Sequence, residues 1–249
     1  MPRWAAVSEY KDWIWRERDG IDMNNNPGRS LDKKMDISIV GDGSSSGGVY
    51  GKIKVVGDAS FNDNLSCDRF KCTGTSVIYG SLESTDIKIT GTLTLTERET
   101  SNDGEDGIQA SGLHAKAEHI KVVGELHLSG DCQAENIKLN GRLTIAGMLS
   151  AEHMTLKIMG PSEVKEMGGS IISVKSGRLN DLFTGNKSIL KAQIIEGDDI
   201  ELENTEAEIV RGDKIKIGPG CRIGTVEYRS SLQIHPQSEV LLQSNRSLD

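Results

Sequence analysis

Glycine recurs at a seventeen-residue spacing in this chain: Gly57, Gly74 and Gly91, then Gly107, Gly124 and Gly141. A period longer than a strand and shorter than a strand–helix–strand unit describes one small structural unit stacked on copies of itself. Written from its glycine, the unit at Gly124 reads GELHLSGDCQAENIKLN and the unit at Gly141 reads GRLTIAGMLSAEHMTLK. The unit at Gly74 reads GTSVIYGSLESTDIKIT, and all three carry a second glycine in column 7: Gly80, Gly130 and Gly147.

Apolar residues keep to fixed columns of this unit. Columns 3 and 5 hold Leu93/Leu95 and Leu143/Ile145, columns 9 and 11 hold Leu65/Cys67 and Leu149/Ala151, and columns 14 and 16 hold Ile87/Ile89 and Ile137/Leu139. Side chains two apart share one face of a strand. Polar or glycine corners separate the pairs, so each unit reads as three short strands and three bends. A path of about 17 × 3.3 Å closes one turn around a narrow core, and successive turns pair in parallel about 4.8 Å apart. The spacing predicts an all-β chain wound as a triangular parallel β-helix, a β-solenoid with about 17 residues per coil. Helical text would alternate by three and four and use less Val, Ile, Thr and Gly.

Composition agrees with a thin interior: aromatic residues make up only 4% of the 249, and glycine numbers 28. A net charge of −8 points away from nucleic acid, which needs a basic face. No run of eighteen apolar residues predicts a membrane-spanning helix, and the first residues lack the apolar core of a secretory signal. Cys67, Cys72 and Cys132 fall in core columns, and together with Cys221 they form no CxxC pair. They read as small hydrophobes in a reducing, cytoplasmic setting.

The text divides into five stretches. Residues 1–34 read as a disordered or short helical leader holding all three tryptophans, Trp4, Trp13 and Trp15. Two readings stay open for it. Trp4, Trp13, Ile14 and Trp15 form a membrane-surface or partner contact, or the native chain starts at Met35, which is the favoured reading. Residues 35–160 form the first solenoid run, with a flexible loop at 42–48 and an acidic surface loop at 97–106. The acidic loop lacks the D-x-D-x-D-G spacing of a calcium loop. Residues 161–190 read as a connecting strand and loop, 191–228 as a second run with a fifteen-residue metre, and 229–249 as a flexible tail.

Sites for chemistry are not found. Ser46–Lys52 has serine where a phosphate-binding loop needs its first glycine, and Gly41-Asp42-Gly43 leads to Ser46 where a dinucleotide fingerprint needs glycine. His119 and His153 share column 13 two coils apart, about 9.6 Å, too far to ligate one metal. No residue is expected to be catalytic, cofactor-binding or metal-ligating, no cofactor is expected, and the chain is expected not to be an enzyme. Ile217–Gly224 (IGPGCRIG) is similar to one hexapeptide of the left-handed β-helix acyltransferases, which repeat it many times. That keeps an acyltransferase as the lesser alternative.

The chain resembles the bactofilins, bacterial polymer-forming cytoskeletal proteins, in their Bacillus-type two-part form. The residues that carry the resemblance are Val123-Gly124 with Ile137-Lys138, the stretch Gly160–Gly169 (GPSEVKEMGG), Glu203-Asn204-Thr205 through Val210-Arg211-Gly212, Ile217–Cys221, and Val226-Glu227-Tyr228. It covers about residues 36–228. The resemblance implies a right-handed coil that assembles end to end into nonpolar filaments without nucleotide. It implies a scaffold for cell shape, polarity or motility, often at the inner face of the cell membrane. The interrupted third coil and the fifteen-residue metre depart from the compact members of that family.

Physics points to assembly independently, because the end coils of a solenoid expose unpaired backbone groups and an open apolar core. The expected self-assembly residues are Ile53 and Val55 at one end, and Ile215, Ile217, Cys221, Ile223, Val226 and Tyr228 at the other. The expected partners are further copies of the chain, a protein cargo or the inner membrane surface, with no nucleic acid or nucleotide. A non-polymerising adaptor, making contacts through 97–106 and 175–187, is the alternative.

Overall fold

A computed structural model describes residues 34–98, 112–177 and 188–246. Trp4, Trp13, Ile14, Trp15, Gly107 and most of the acidic loop lie outside the described residues. The strands are β1 (Ile37–Ser45), β2 (Gly48–Phe61), β3 (Leu65–Tyr79), β4 (Leu82–Thr96), β5 (His114–Leu128), β6 (Asp131–Ile158), β7 (Ser162–Ser176), β8 (Leu190–Leu202), β9 (Thr205–Ile217), β10 (Arg222–Ile234) and β11 (Glu239–Asn245). They form one sheet in chain order, and no helix occurs among the described residues.

Every neighbouring pair runs parallel. A flat parallel sheet needs long crossovers between strands. Here β2 and β3 are joined by residues 62–64 alone, so the chain returns to the next strand only by winding. The result is a β-solenoid. The 28-residue β6 is longer than a coil. The Gly147 N–H donates to the Gly130 carbonyl at 3.2 Å, one coil below.

The pairing register gives the metre directly. Gly48 pairs with Leu65, Leu65 with Leu82, and His114 with Asp131, each seventeen residues on. The step from β6 to β7 lengthens to nineteen and then eighteen residues, Thr144 to Glu163 and Met148 to Glu166. It shortens to fifteen between β8 and β9, Leu190 to Thr205.

Each coil turns three pairs of side chains inward. In β3 these are Leu65/Cys67, Phe70/Cys72 and Ser76/Ile78, all buried. The apolar columns read from the sequence form the core throughout, with Ala117 only half-buried. Ser76 replaces an aliphatic in column 3, and its hydroxyl donates to Cys72 Sγ at 3.1 Å, so the buried oxygen keeps a partner. Phe61 and Phe70 meet edge to face, their centroids 6.0 Å apart, and fill the coils where Ala59 and Cys67 leave room.

The glycine column is a single stack: Gly41, Gly57, Gly74, Gly91, Gly124 and Gly141 pair in that order. At Gly124 φ is +131°, and a Cβ there would lie 2.0 Å from the Gly91 carbonyl oxygen. The corner therefore needs both glycine's backbone freedom and its missing side chain. Gly124 pairs directly with Gly91, thirty-three residues before it.

Other expectations change as well. Residues 42–45 of the expected loop belong to β1. The connecting strand expected within 161–190 is β7, and it extends from Ser162 to Ser176 and pairs with β6 on one side and β8 on the other. The expected tail contains the end of β10 and all of β11. These stretches are polar on their outward columns, and that masked their inward residues.

Outward columns of the second half alternate in charge. Lys191, Glu206, Arg222 and Glu239 succeed one another in one column. Glu206 lies 3.8 Å from Lys191 and 3.5 Å from Arg222. Arg211 bridges Glu196 below and Glu227 above. Glu201 accepts a hydrogen bond from Lys216 at 2.7 Å. That bond, with Lys175 nearby, holds the Glu201 carboxyl below the usual carboxylate range. Opposite charges on facing strands support the stack.

All four cysteines are buried and free. Burial raises each thiol, and Cys132 is pushed up to about 12. Thiolate is the reactive form, so the folded protein should not react with a thiol-specific disulfide reagent at pH 8. In denaturant four thiols per chain should react. Rapid reaction of the native protein would show that the core columns open.

Candidate self-assembly ends

The ends of the stack are where, among the described residues, backbone and core lack cover. Among the described residues β1 pairs only with β2 and β11 only with β10. Each therefore presents one row of N–H and C=O groups without a strand beside it.

At the first end, Ile37 sits over Ile53 and Ile39 over Val55, which places them in the column 14 and column 16 positions. Ile53 and Val55 are 1% and 0% exposed, whereas Ile37 and Ile39 are half-buried. Around them Met35, Val40 and Val49 are 73%, 77% and 63% exposed. At the second end, β11 covers only the first half of β10, pairing Ile223 with Val240 and Val226 with Gln243. The second half of β10 pairs only downward, Leu232 with Ile215 and Ile234 with Ile217. Leu232 is half-buried and Ile234 is 38% exposed. Ile215 and Ile217 follow Ile200 and Leu202, then Ile172 and Val174, then Met154 and Leu156, so Leu232 and Ile234 also occupy columns 14 and 16. Both ends thus present a pair of incompletely covered aliphatics in the same two columns.

The expected self-assembly residues lie one coil too deep. Ile53 and Val55 are sealed by β1. Ile223, Val226 and Tyr228 are covered by β11, while Ile215, Ile217 and Cys221 are all at most 2% exposed. The residues at the edges are instead Ile37, Ile39, Leu232, Ile234 and Val240. A signal for the second end was present: Ser238-x-Val240 follows Cys221-x-Ile223 by seventeen residues. The Trp4, Trp13, Ile14 and Trp15 contact lies outside the described residues.

The turn Gly218–Cys221 of the hexapeptide-like segment makes a corner between β9 and β10. The Ser238 hydroxyl donates to the Gly218 carbonyl at 2.6 Å and accepts from the Cys221 N–H at 3.0 Å. These bonds tie the last two coils together.

One polar cluster has the composition of a hydrolase triad. Ser81 Oγ lies 3.3 Å from His114 Nδ1, and His114 Nε2 lies 3.2 Å from Glu83. The Gly112 carbonyl is closer to Nδ1, at 2.7 Å, and takes its proton, which leaves Nδ1 no lone pair toward serine. Ser81 also accepts from the His114 N–H at 3.1 Å. The cluster ties the start of β5 to the start of β4. Among the described residues no group of three metal-ligating side chains occurs, and no helix is long and apolar enough to cross a membrane.

Over 79 residues the chain is 48% identical to the uncharacterised protein YhbF of Bacillus subtilis (strain 168), a stretch covering 32% of this chain and 33% of that protein. It is 42% identical over 83 residues to the uncharacterised protein YhbE of the same strain, covering 32% of this chain and 35% of that protein. The chain thus matches about a third of the length of each relative. No protein-family model and no solved structure matches it.

Proposed function

We propose that this chain is a non-catalytic cytoplasmic scaffold that assembles end to end into filaments without nucleotide, in the manner of the bactofilins it resembles. The observation that carries the reading is the pair of half-covered aliphatics at each end, Ile37/Ile39 and Leu232/Ile234, in the same inward columns. Stacking another rung there buries apolar surface and pairs a row of backbone groups at once. Buried free thiols suit a reducing compartment.

The test is the purified full chain without nucleotide, followed by ultracentrifugation and negative-stain electron microscopy over a concentration series. Threads one solenoid wide, appearing above a threshold concentration, are the expected result. A protein that sediments as a monomer at every concentration and salt level is not a filament former.

A further inference from the structure

The first half of the stack breaks the charge alternation seen in the second. Lys54, Lys71, Lys88, Lys121 and Lys138 lie directly over one another in a single outward column on β2 to β6. All five are exposed. Among the described residues none of them makes an ion pair or side-chain hydrogen bond. Like charges directly opposite on neighbouring strands weaken a sheet. Their spacing of about 4.8 Å lies well inside the screening distance of about 8 Å at physiological salt. The same chain pairs Lys191, Arg211, Lys216 and Arg222 with glutamates. Repulsion retained at four successive contacts in one column, in a chain of net charge −8, calls for an anion outside the molecule.

We propose that this lysine column is a docking surface for a planar anionic layer, of the kind acidic phospholipids present. The column runs parallel to the stack axis for about 19 Å. On one side stand the shorter Val56, Thr73, Thr90, Val123 and Asn140, above which the ammonium groups form a ridge. A ridge meets a plane along its whole length, whereas a threadlike polyanion is held between the walls of a groove. Val56 and Val123 are 38% and 43% exposed, which suits contact with the boundary of a lipid layer. On the other flank run Lys52, Arg69, Asp86, His119 and Asn136, where Lys52 and Arg69 broaden the basic surface and the one acid, Asp86, faces Arg69 at 3.8 Å. Asp68, Glu118 and Glu135 fall farther out, where the pairing lapses between faces. The inference does not rest on filament formation, since one copy carries the whole ridge.

Flotation of the full-length protein with vesicles tests it. Vesicles of phosphatidylcholine with phosphatidylglycerol should carry the protein upward, and vesicles of phosphatidylcholine alone should not. Each lysine near an anionic surface strengthens binding about fivefold, so the triple variant Lys71→Gln/Lys88→Gln/Lys121→Gln should lose about a hundredfold in partitioning. Its melting temperature should stay level or rise, because repulsion has been removed. Lys191→Gln, taken from a compensated column, should float as the parent does. Undiminished flotation of the triple variant, or equal binding to neutral vesicles, overturns the proposal. So does a lowered melting temperature accompanying the loss, which would make the column structural. Tighter binding to inorganic polyphosphate than to the vesicles would make the ligand a thread and overturn it too.

Discussion

A lysine at Ile234 is expected to abolish sedimentation of the protein while leaving its melting temperature within about five degrees of the parent. Ile234 is 38% exposed at an edge of the stack, so in a single copy the ammonium can reach water along its flexible stem. At a junction between copies the same group would be enclosed against an apolar rung. An unpaired charge buried in this way costs several kcal/mol. At 1.4 kcal/mol per tenfold, the threshold concentration for assembly should rise by at least about a hundredfold. Ile39→Lys should do the same at the other edge. Ile223→Lys is the instructive contrast, because Ile223 is 2% exposed between β9 and β11. There the charge should unfold the terminal coils and lower the melting temperature sharply. If Ile39→Lys and Ile234→Lys both sediment as the parent does, the ends are not the contact.

Gly124→Ala is expected to destabilise the folded chain by about 3 kcal/mol or more, read as a lowered denaturation midpoint. Two terms act together. A non-glycine residue at φ +131° holds a sparsely populated conformation, at a cost of about 1–3 kcal/mol. The new methyl would also sit 2.0 Å from the Gly91 carbonyl oxygen, which is fixed in the sheet and cannot swing away. Gly168→Ala is the control. Its Cβ would meet only the Met148 Cε, at 2.8 Å, the far end of a flexible side chain. That variant should stay within about 1 kcal/mol of the parent. Equal losses in the two variants would mean that the glycine column owes its composition to something other than steric closure.

Much of the interior was legible because inward columns recur at a fixed interval and carry little but Leu, Ile, Val, Phe, Cys and Ala. Gly91 and Gly124 show how far that reading reaches. Both fall on the corner column, but the spacing also admits Gly107 between them, and only the pairing register sets Gly124 beside Gly91. The ends were read less well. Which coil is last depends on whether weakly patterned flanking text joins the sheet. Ile37-x-Ile39 and Leu232-x-Ile234 are single alternations with polar surroundings, and one alternation reads the same in a strand as in a loop. The lysine column stood in full view in the text, but its meaning depends on vertical register. Only stacking turns five lysines scattered between residues 54 and 138 into nearest neighbours.

Spatial order along the sheet is the same as order along the chain, from β1 to β11. Among the described residues no strand waits for a partner that lies far downstream. During synthesis each newly emerged segment can zip onto the one before it, so the fold can advance at the pace of translation. A ribosome stalled near residue 160 should already hold a protease-resistant, β-structured nascent polypeptide.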